Sequence, residues 1–197
     1  YYSNAHSNTN TKLEHQRSNT GTCSSFIAEE LKVPHRILTL PNLADILGGS
    51  SLTDPNIELP EGHYAKESMK ATVVPNRNMI LLALAAGYAL SVNFDTIAYA
   101  AHAGDHTIYP DCRPAFADAM ETALSLADWK NLNLHRPFVN LSKADLVKKG
   151  MELGAPLHLS WSCYAGRKLH CGKCGTCVER KEAFAIAKVP DPTEYEA

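Results

Sequence analysis

The sequence predicts an α/β fold built on an open parallel sheet and closed near its C-terminus by a four-cysteine zinc knot. Three observations carry that expectation. Between residues 72 and 150, short apolar runs bounded by polar loops alternate with helical patterns, the order that a parallel sheet with crossover helices requires. Four of the six cysteines fall in the spacing C-x7-C-x2-C-x2-C from Cys163 to Cys177. At 197 residues and 45% hydrophobic the chain can bury one substantial core, so residues 1–197 are expected to form a single domain that includes a zinc-binding segment, 161–187.

Residues 1–20 are rich in Asn, Ser, Thr and His without an apolar period, which predicts a loop or ragged terminus, with Tyr1-Tyr2 suited to the end of a strand. From Thr20 onward Cys23, Phe26, Ile27 and Leu31 share one helical face opposite Glu29, Glu30 and Lys32, making Cys23 a core thiol. Val33-Pro34 ends that helix, because a residue before proline avoids helical angles. Residues 36–40 read as a short buried strand and 42–47 as a brief helix. Residues 48–70 hold Gly, Ser, Pro and Asp clusters with little period. A loop of that length is usually functional, for instance as a lid.

Residues 79–90 are apolar nearly all round, which predicts a helix buried on most sides and capped by Asn76 or Asn78. Residues 96–101 read as a parallel-sheet strand. Pro114 suits the first turn of a helix whose stripe is Phe116, Ala119, Met120, Ala123, Leu124 and Ala127. Residues 132–138 read as a strand interrupted by Pro137. Ser142 and Asp145 approximate a capping box, with Asp in place of the usual Glu, opening a helix towards Gly150. A last helix covers 177–187.

The net charge of −2 with mixed signs gives no electrostatic footprint for a long nucleic acid. No apolar run approaches the roughly eighteen residues of a membrane span and no secretory leader opens the chain, so a cytoplasmic protein with reduced thiols is expected. The chain opens on Tyr1 rather than methionine, which suggests a fragment or a processed form.

Four thiolates suit a tetrahedral zinc with no open position, a structural rather than catalytic site. They would carry a formal charge of minus two, which Arg167, Lys168, Lys173, Arg180 and Lys181 are close enough in sequence to offset. Gly172 and Gly175 allow tight folding between the sulfurs, and Cys177 is placed to open a helix whose dipole favours a thiolate. A disulfide framework and a C-x2-C redox pair fit the spacing poorly, while an iron–sulfur cluster stays open as an alternative.

In an open parallel sheet, ligands sit at the C-terminal ends of the strands. Two polar loops leave such ends. Pro75-Asn76-Arg77-Asn78 sets an arginine at a helix N-terminus, suited to phosphate or carboxylate, although a plain helix cap with a solvated arginine has the same pattern. Residues 102–113 hold two histidines, two aspartates, a tyrosine and an arginine in twelve residues. His102, Asp105 and His106 offer one option, a metal; the aspartates and Arg113 offer another, the edge of a heterocycle and its carboxylate.

The run Val74-Pro75-Asn76-Arg77-Asn78, the segment Tyr109-Pro110-Asp111-Cys112-Arg113-Pro114 and the tail from Trp161-Ser162-Cys163-Tyr164 to Cys171-Gly172-Lys173-Cys174-Gly175-Thr176-Cys177 resemble the 7-cyano-7-deazaguanine synthase family. The resemblance extends from about residue 20 to the end, and the three motifs in this order are more specific than any one of them. It implies an adenine-nucleotide α-hydrolase-like fold of the PP-loop ATP pyrophosphatase type, usually a homodimer. It implies a ligase that makes the nitrile precursor of queuosine and archaeosine from 7-carboxy-7-deazaguanine, ammonia and ATP, with Mg accompanying the nucleotide and no stable nucleic-acid or membrane partner. By the same resemblance Cys163, Cys171, Cys174 and Cys177 bind one structural zinc, and Arg77 and Asn78 face ATP phosphates or an acyl adenylate. Asp105, Asp111 and Arg113 are expected at the deazaguanine and its carboxylate, from residue type and loop position; no catalytic residue is assigned.

One departure stands against these matches. The family's glycine-rich phosphate loop, S-G-G-x-D-S, has no counterpart here, and the double glycine Gly48-Gly49 precedes no helix. Tyr1-Tyr2 would correspond to the second strand of the family, so its first strand and helix, with the main ATP site, are expected to be missing from this sequence. Two alternatives follow: a non-catalytic deazapurine- or RNA-binding remnant of the fold, and a related ATP-using tRNA modifier, such as a thiolation enzyme, that uses cysteine pairs.

Overall fold

A computed structural model of the protein describes residues 23–40, 43–63 and 67–196. The loop and strand end expected within residues 1–20 lie outside the described residues. The chain divides into two compact units, one formed by the segments up to Pro75 and from Val147, the other by Asn76–Leu146.

In the first unit residues 23–30 are helical (α1). The helix ends at Lys32, which takes a left-handed φ of 53° while the Val33 amide bonds back to the Ala28 carbonyl at 2.9 Å, one step before the Val33-Pro34 stop. Its expected core stripe is not buried: Ala28 is covered, but Phe26 and Leu31 are more than half exposed and Cys23 is only partly buried. A helical period finds an apolar face without saying what covers it. The buried strand expected at 36–40 is also not found. Only Leu38 forms an isolated bridge, and Ile37 and Leu38 are exposed. A brief helix, α2, spans Leu43–Ile46. The long segment that follows is packed, with Ser50 and Ser51 buried, the Ser51 amide bonded to the Ala71 carbonyl at 2.7 Å, and a 3-10 helix at Glu67–Thr72 that buries Met69 and Thr72.

The second unit begins with α3, Arg77–Ser91. Its buried residues are Leu82, Ala86 and Ala89, while Met79 and Tyr88 are exposed, so one face is covered where the all-round apolar pattern predicted most sides. By length and composition the stretch Glu67–Ser91 could cross a membrane. The 3-10 helix stops at Thr72, however, leaving 15 residues in α3, about 22 Å against a hydrocarbon core of about 30 Å.

Strand β1, Thr96–Ala98, pairs in parallel with β2, Asn133–His135, in the register Thr96↔Asn133, Ile97↔Leu134, Ala98↔His135. Tyr99 extends the ladder through its amide to the His135 carbonyl at 2.8 Å. The strand predicted over 132–138 stops short of Pro137, which has no N–H to give a ladder. Between the strands lies α4, Pro114–Leu126, with the proline in its first turn. It buries Ala117, Met120 and Leu124; Ala119, Ala123 and Ala127 from the expected stripe are exposed. Alanines contribute little to a stripe, and the larger side chains decide which face turns inward. Leu82, Ala86, Ala89, Ile97, Met120, Leu124, Leu132 and Leu134 form the resulting core, a helix–strand–helix–strand layer with a two-stranded parallel sheet.

The capping box is present. The Ser142 amide donates to Asp145 Oδ2 at 3.1 Å and the Asp145 amide to Ser142 Oγ at 3.2 Å, opening α5 at Lys143–Glu152. The shorter aspartate closes the box as glutamate would. The first unit ends with α6, Gly175–Ala187, and a tail tied back onto it. Buried Arg180 donates to Asp191 Oδ1 at 3.2 Å, Ser160 Oγ at 2.9 Å and the Leu157 carbonyl at 3.3 Å, and Tyr195 donates to Asp191 Oδ2 at 2.5 Å.

Candidate functional site

Each unit contains one concentration of chemistry. In the first, the Sγ atoms of Cys163, Cys171, Cys174 and Cys177 all lie within 4.8 Å of one another and all four residues are buried. Tetrahedral coordination with Zn–S of about 2.3 Å would place sulfurs about 3.8 Å apart, and Cys171 Sγ and Cys177 Sγ stand 4.0 Å apart. Four cysteines so placed can hold one metal ion. His102, Asp105 and His106 do not come close enough to share one; the cysteines are the only such group among the described residues.

Local backbone builds this arrangement. Gly172 turns the chain with a φ of 73°, and a Cβ there would meet Lys181 Nζ at 3.0 Å. The Cys174 amide then points at Cys171 Sγ, and the Ala165 and Cys171 amides at Cys163 Sγ, each at 3.3 Å. Gly175 has a different role from the one expected: it is the first residue of α6, two positions before the predicted start, and Cys174 is the N-cap. Hydrogen bonds from Cys163, then Cys177, and from Thr176 hold the Cys174 thiol far below its ordinary value. The hydrogen bond with Cys174 pushes Cys163 up to about 11, and Cys163, then Cys174, raises Cys177.

The expected counter-charges are mostly engaged elsewhere. Arg167 pairs with Glu196 at 2.6 Å, Lys173 with Glu61 at 2.9 Å, and Arg180 with Asp191. Lys181 stays near, bonding the Gly172 carbonyl at 3.0 Å and lying 4.2 Å from the Tyr195 ring centre. Backbone amides, more than side-chain cations, face the sulfurs. Segment 59–62 docks on the same knot, through a bridge between Glu61 and Cys174 and the Gly62 amide on the Lys173 carbonyl at 3.0 Å. A cleft of about 1120 Å³ beside it is lined by Leu59, Glu61, Arg167, Lys173 and the knot's Cys171 and Cys174 among others, and by none of the residues expected at ATP or the heterocycle. Trp161 packs against the cysteines: its Nε1 donates to the Cys163 carbonyl at 2.9 Å and its ring lies 4.1 Å from that of His170.

The second site gathers on the loop after β1. At the start of α3, Asn76 takes a left-handed φ of 57° and makes no side-chain cap. The Asn78 amide instead donates to Asp111 Oδ2 at 3.3 Å. Asn78 Nδ2 lies 3.6 Å from Cys112 Sγ, and Cys112 Sγ lies 4.0 Å from Asp105 Oδ2. On the other side of that carboxylate, His102 Nε2 is 3.4 Å away. Tyr99 Oη donates to the Asp111 carbonyl, and Arg113 Nε donates to the His106 carbonyl at 2.8 Å.

Of the residues predicted here, Asn78, Asp105 and Asp111 are thus drawn into one run of contacts. Arg77 is near enough to pull the Tyr99 and Cys112 values down, while Arg113 is exposed and tied to its own loop. Sequence reasoning missed Tyr99 and Cys112. Tyr99 is the first residue past β1, and Cys112 lies between two residues already selected, so position at a strand end was the available signal. Burial first, then Asp105, pushes Cys112 up to about 11, and burial raises Tyr99; both stay protonated and serve as donors. Burial lowers His102 against the opposing pull of Asp105, which leaves a neutral imidazole.

A family model described as "Queuosine biosynthesis protein QueC" matches residues 8–188, a span containing both sites. A protein of Methanoregula boonei named 7-cyano-7-deazaguanine synthase is 54% identical over 174 residues, 88% of this chain and 80% of the relative. Relatives from Mesorhizobium japonicum, named 7-cyano-7-deazaguanine synthase 1, and Allorhizobium ampelinum, named 7-cyano-7-deazaguanine synthase, are each 51% identical over 175 residues, covering 88% of this chain and 75% and 74% of their own lengths.

Proposed function

The chain belongs to the queuosine biosynthesis protein QueC family, and from that premise we propose that it is a carbon–nitrogen ligase converting 7-carboxy-7-deazaguanine, ammonia and ATP to 7-cyano-7-deazaguanine. The observation that carries this reading is the 54% identity, over 88% of the chain, to a protein named 7-cyano-7-deazaguanine synthase. An adenine-nucleotide α-hydrolase-like fold accompanies it, supported by the parallel β1–β2 pair with α4 between its strands. So do a homodimer and a cytoplasmic setting without a stable nucleic-acid partner, in keeping with a net charge of −2.

The chemistry replaces both carboxylate oxygens with one nitrogen. A carboxylate oxygen is a poor leaving group, so it is first joined to a phosphorus centre of ATP, with Mg accompanying the nucleotide. Ammonia then adds to the carbonyl carbon and the activated oxygen departs with its phosphorus, leaving an amide. A second ATP activates the amide oxygen in the same way; its departure, with loss of the nitrogen-bound protons, leaves the nitrile. The residues contribute position and charge neutralisation. Arg77 and the Asn78 side chain face the phosphates. Asp111 already takes the Asn78 amide in the first turn of α3, so it and Asp105 serve the heterocycle. Arg113, its Nε held by the His106 carbonyl, offers its terminal nitrogens to the substrate carboxylate.

Cys163, Cys171, Cys174 and Cys177 would hold zinc. When bound it supplies a rigid cross-link with no open position for substrate. The knot holds segment 59–62 and α6 in place and takes no part in the reaction. The test is product formation: the protein expressed from its complete reading frame, given 7-carboxy-7-deazaguanine, ammonium, ATP and Mg, should yield the nitrile by mass spectrometry. Absence of the nitrile with folded, metal-loaded protein would sink the reading.

A further inference from the structure

Four buried atoms on the loop after β1 have no hydrogen-bond partner among the described residues: His102 Nδ1, Asp105 Oδ1, His106 Nε2 and Asp111 Oδ1. Leaving one such group unpaired costs about 1–3 kcal/mol, and four of them on one short loop mark a place built to meet donors. The two carboxylates share a pattern. Each has one oxygen against a neighbour, Asp105 Oδ2 beside His102 Nε2 at 3.4 Å and Asp111 Oδ2 accepting from the Asn78 amide at 3.3 Å, and each has the other oxygen without a hydrogen-bond partner. His102 itself is only 9% exposed.

These atoms do not converge on a point, since among the described residues only the four cysteines could share one ion. A single metal or ammonium ion therefore does not answer them. An extended planar ring with N–H groups along one edge does. Aspartate χ2 is broad and nearly two-fold, so the held and unmet oxygens can exchange as a ligand enters. Ionised carboxylates only accept, and a 2-amino-6-oxo ring offers them the lactam N–H, the amino group and the pyrrole N–H. A 6-amino ring would turn a bare ring nitrogen toward a carboxylate.

Resting on the ligase reading above, we propose that Asp105 and Asp111 read the N–H edge of the deazaguanine and that His102 is the positioning residue for Asp105, so that this loop selects the heterocycle. His102 Nε2 stands 3.4 Å from Asp105 Oδ2, so a neutral ring protonated at Nε2 sets its N–H against that carboxylate and leaves Nδ1 bare. Cys112 and Asn78 space the two carboxylates, with Cys112 Sγ 4.0 Å from Asp105 Oδ2 and 3.6 Å from Asn78 Nδ2.

The experiment uses protein from the complete reading frame, equilibrium dialysis and steady-state kinetics, with 7-carboxy-7-deazaguanine and its 2-deamino analogue as probes. Wild-type protein should bind the 2-amino compound at least about tenfold more tightly, because the analogue leaves a carboxylate oxygen unpaired. Asp105→Asn should abolish that preference. His102→Ala should raise KM for the heterocycle at least about fivefold with KM for ATP unchanged, and His102→Gln, which keeps an N–H donor, should recover most of the loss. Equal wild-type binding of the two probes would overturn the assignment, and needs no variant. So would an unchanged heterocycle KM in folded Asp105→Asn protein that still makes the nitrile, an outcome that leaves the ligase reading standing. Failure of wild-type protein both to bind either probe and to form nitrile would remove the two readings together.

Discussion

The carboxylate of Asp111 caps α3 from 33 residues away in the chain, its Oδ2 lying 3.3 Å from the backbone nitrogen of Asn78. A helix N-terminus carries unpaired amides and a partial positive charge, and a carboxylate there satisfies both. Asp111 thereby joins the loop after β1 to the start of α3, while Tyr99 holds the same residue by its carbonyl. Asp111→Ala is expected to lower stability by about 1 kcal/mol, in the range of lost N-caps. Asp111→Asn keeps an acceptor and should lose less, yet should bind the heterocycle as poorly as the alanine variant. Urea midpoints together with dialysis separate the two effects; parallel losses in both variants would show that the carboxylate acts only as a cap.

Cys174 is both one of the four clustered sulfurs and the N-cap of α6. Zinc bound by four cysteines contributes on the order of 10–16 kcal/mol in small peptides, comparable with the total stability of about 5–15 kcal/mol of an ordinary domain. Cys174→Ala should therefore lose the metal and the folded protein together. Metal analysis of wild-type protein should give one zinc per chain, and a strong chelator should unfold the protein. Soluble, zinc-free and fully active Cys174→Ala protein would contradict the structural role.

The parts legible in the sequence were those encoded within a few residues. The cysteine spacing, the Ser142–Asp145 box, the proline start of α4 and the stop before Pro34 all depend on neighbours along the chain. What could not be read depends on covering surfaces supplied from far away. The stripe of α1 was seen and its exposure was not; residues 36–40 had strand composition but form only the bridge at Leu38. In the polar site, Asp105 and Asp111 were selected by type and loop position, and Asn78 by resemblance to the family. Their pairing, and the entry of Tyr99 and Cys112, needed the register that sets β1 beside β2 and brings the following loop to α3.

His102 predicts an acid sensitivity. Its value lies below the ordinary 6.5, chiefly through burial, with Lys143 and His106 acting in the same direction and Asp105 opposing them. The unfolded chain then binds more protons than the folded one between the folded value and 6.5, so stability rises with pH across that window. Acidification from about pH 7.5 to about pH 5 should lower the urea midpoint of wild-type protein more than that of His102→Gln, which cannot take up the proton. Parallel declines would assign the sensitivity to other groups.

Arg180 offers the sharpest stability test. Its guanidinium is buried, lies 4.9 Å from the centre of the Phe184 ring, and reaches Asp191, Ser160 and the Leu157 carbonyl. Removing one partner of a buried ion pair leaves the other charge uncompensated, at a cost of about 3–5 kcal/mol. Arg180→Ala should fall near that range. Arg180→Lys should recover little, because one ammonium cannot span three acceptors that a planar fork reaches together. Asp191 has a second partner in Tyr195, at 2.5 Å, so Asp191→Asn should cost less than Arg180→Ala and Tyr195→Phe less again. That order, measured by urea unfolding, follows from how many hydrogen-bond partners each change leaves unpaired. An Arg180→Ala variant within about 0.5 kcal/mol of wild type would place the residue among ordinary surface substitutions and remove it from the clasp.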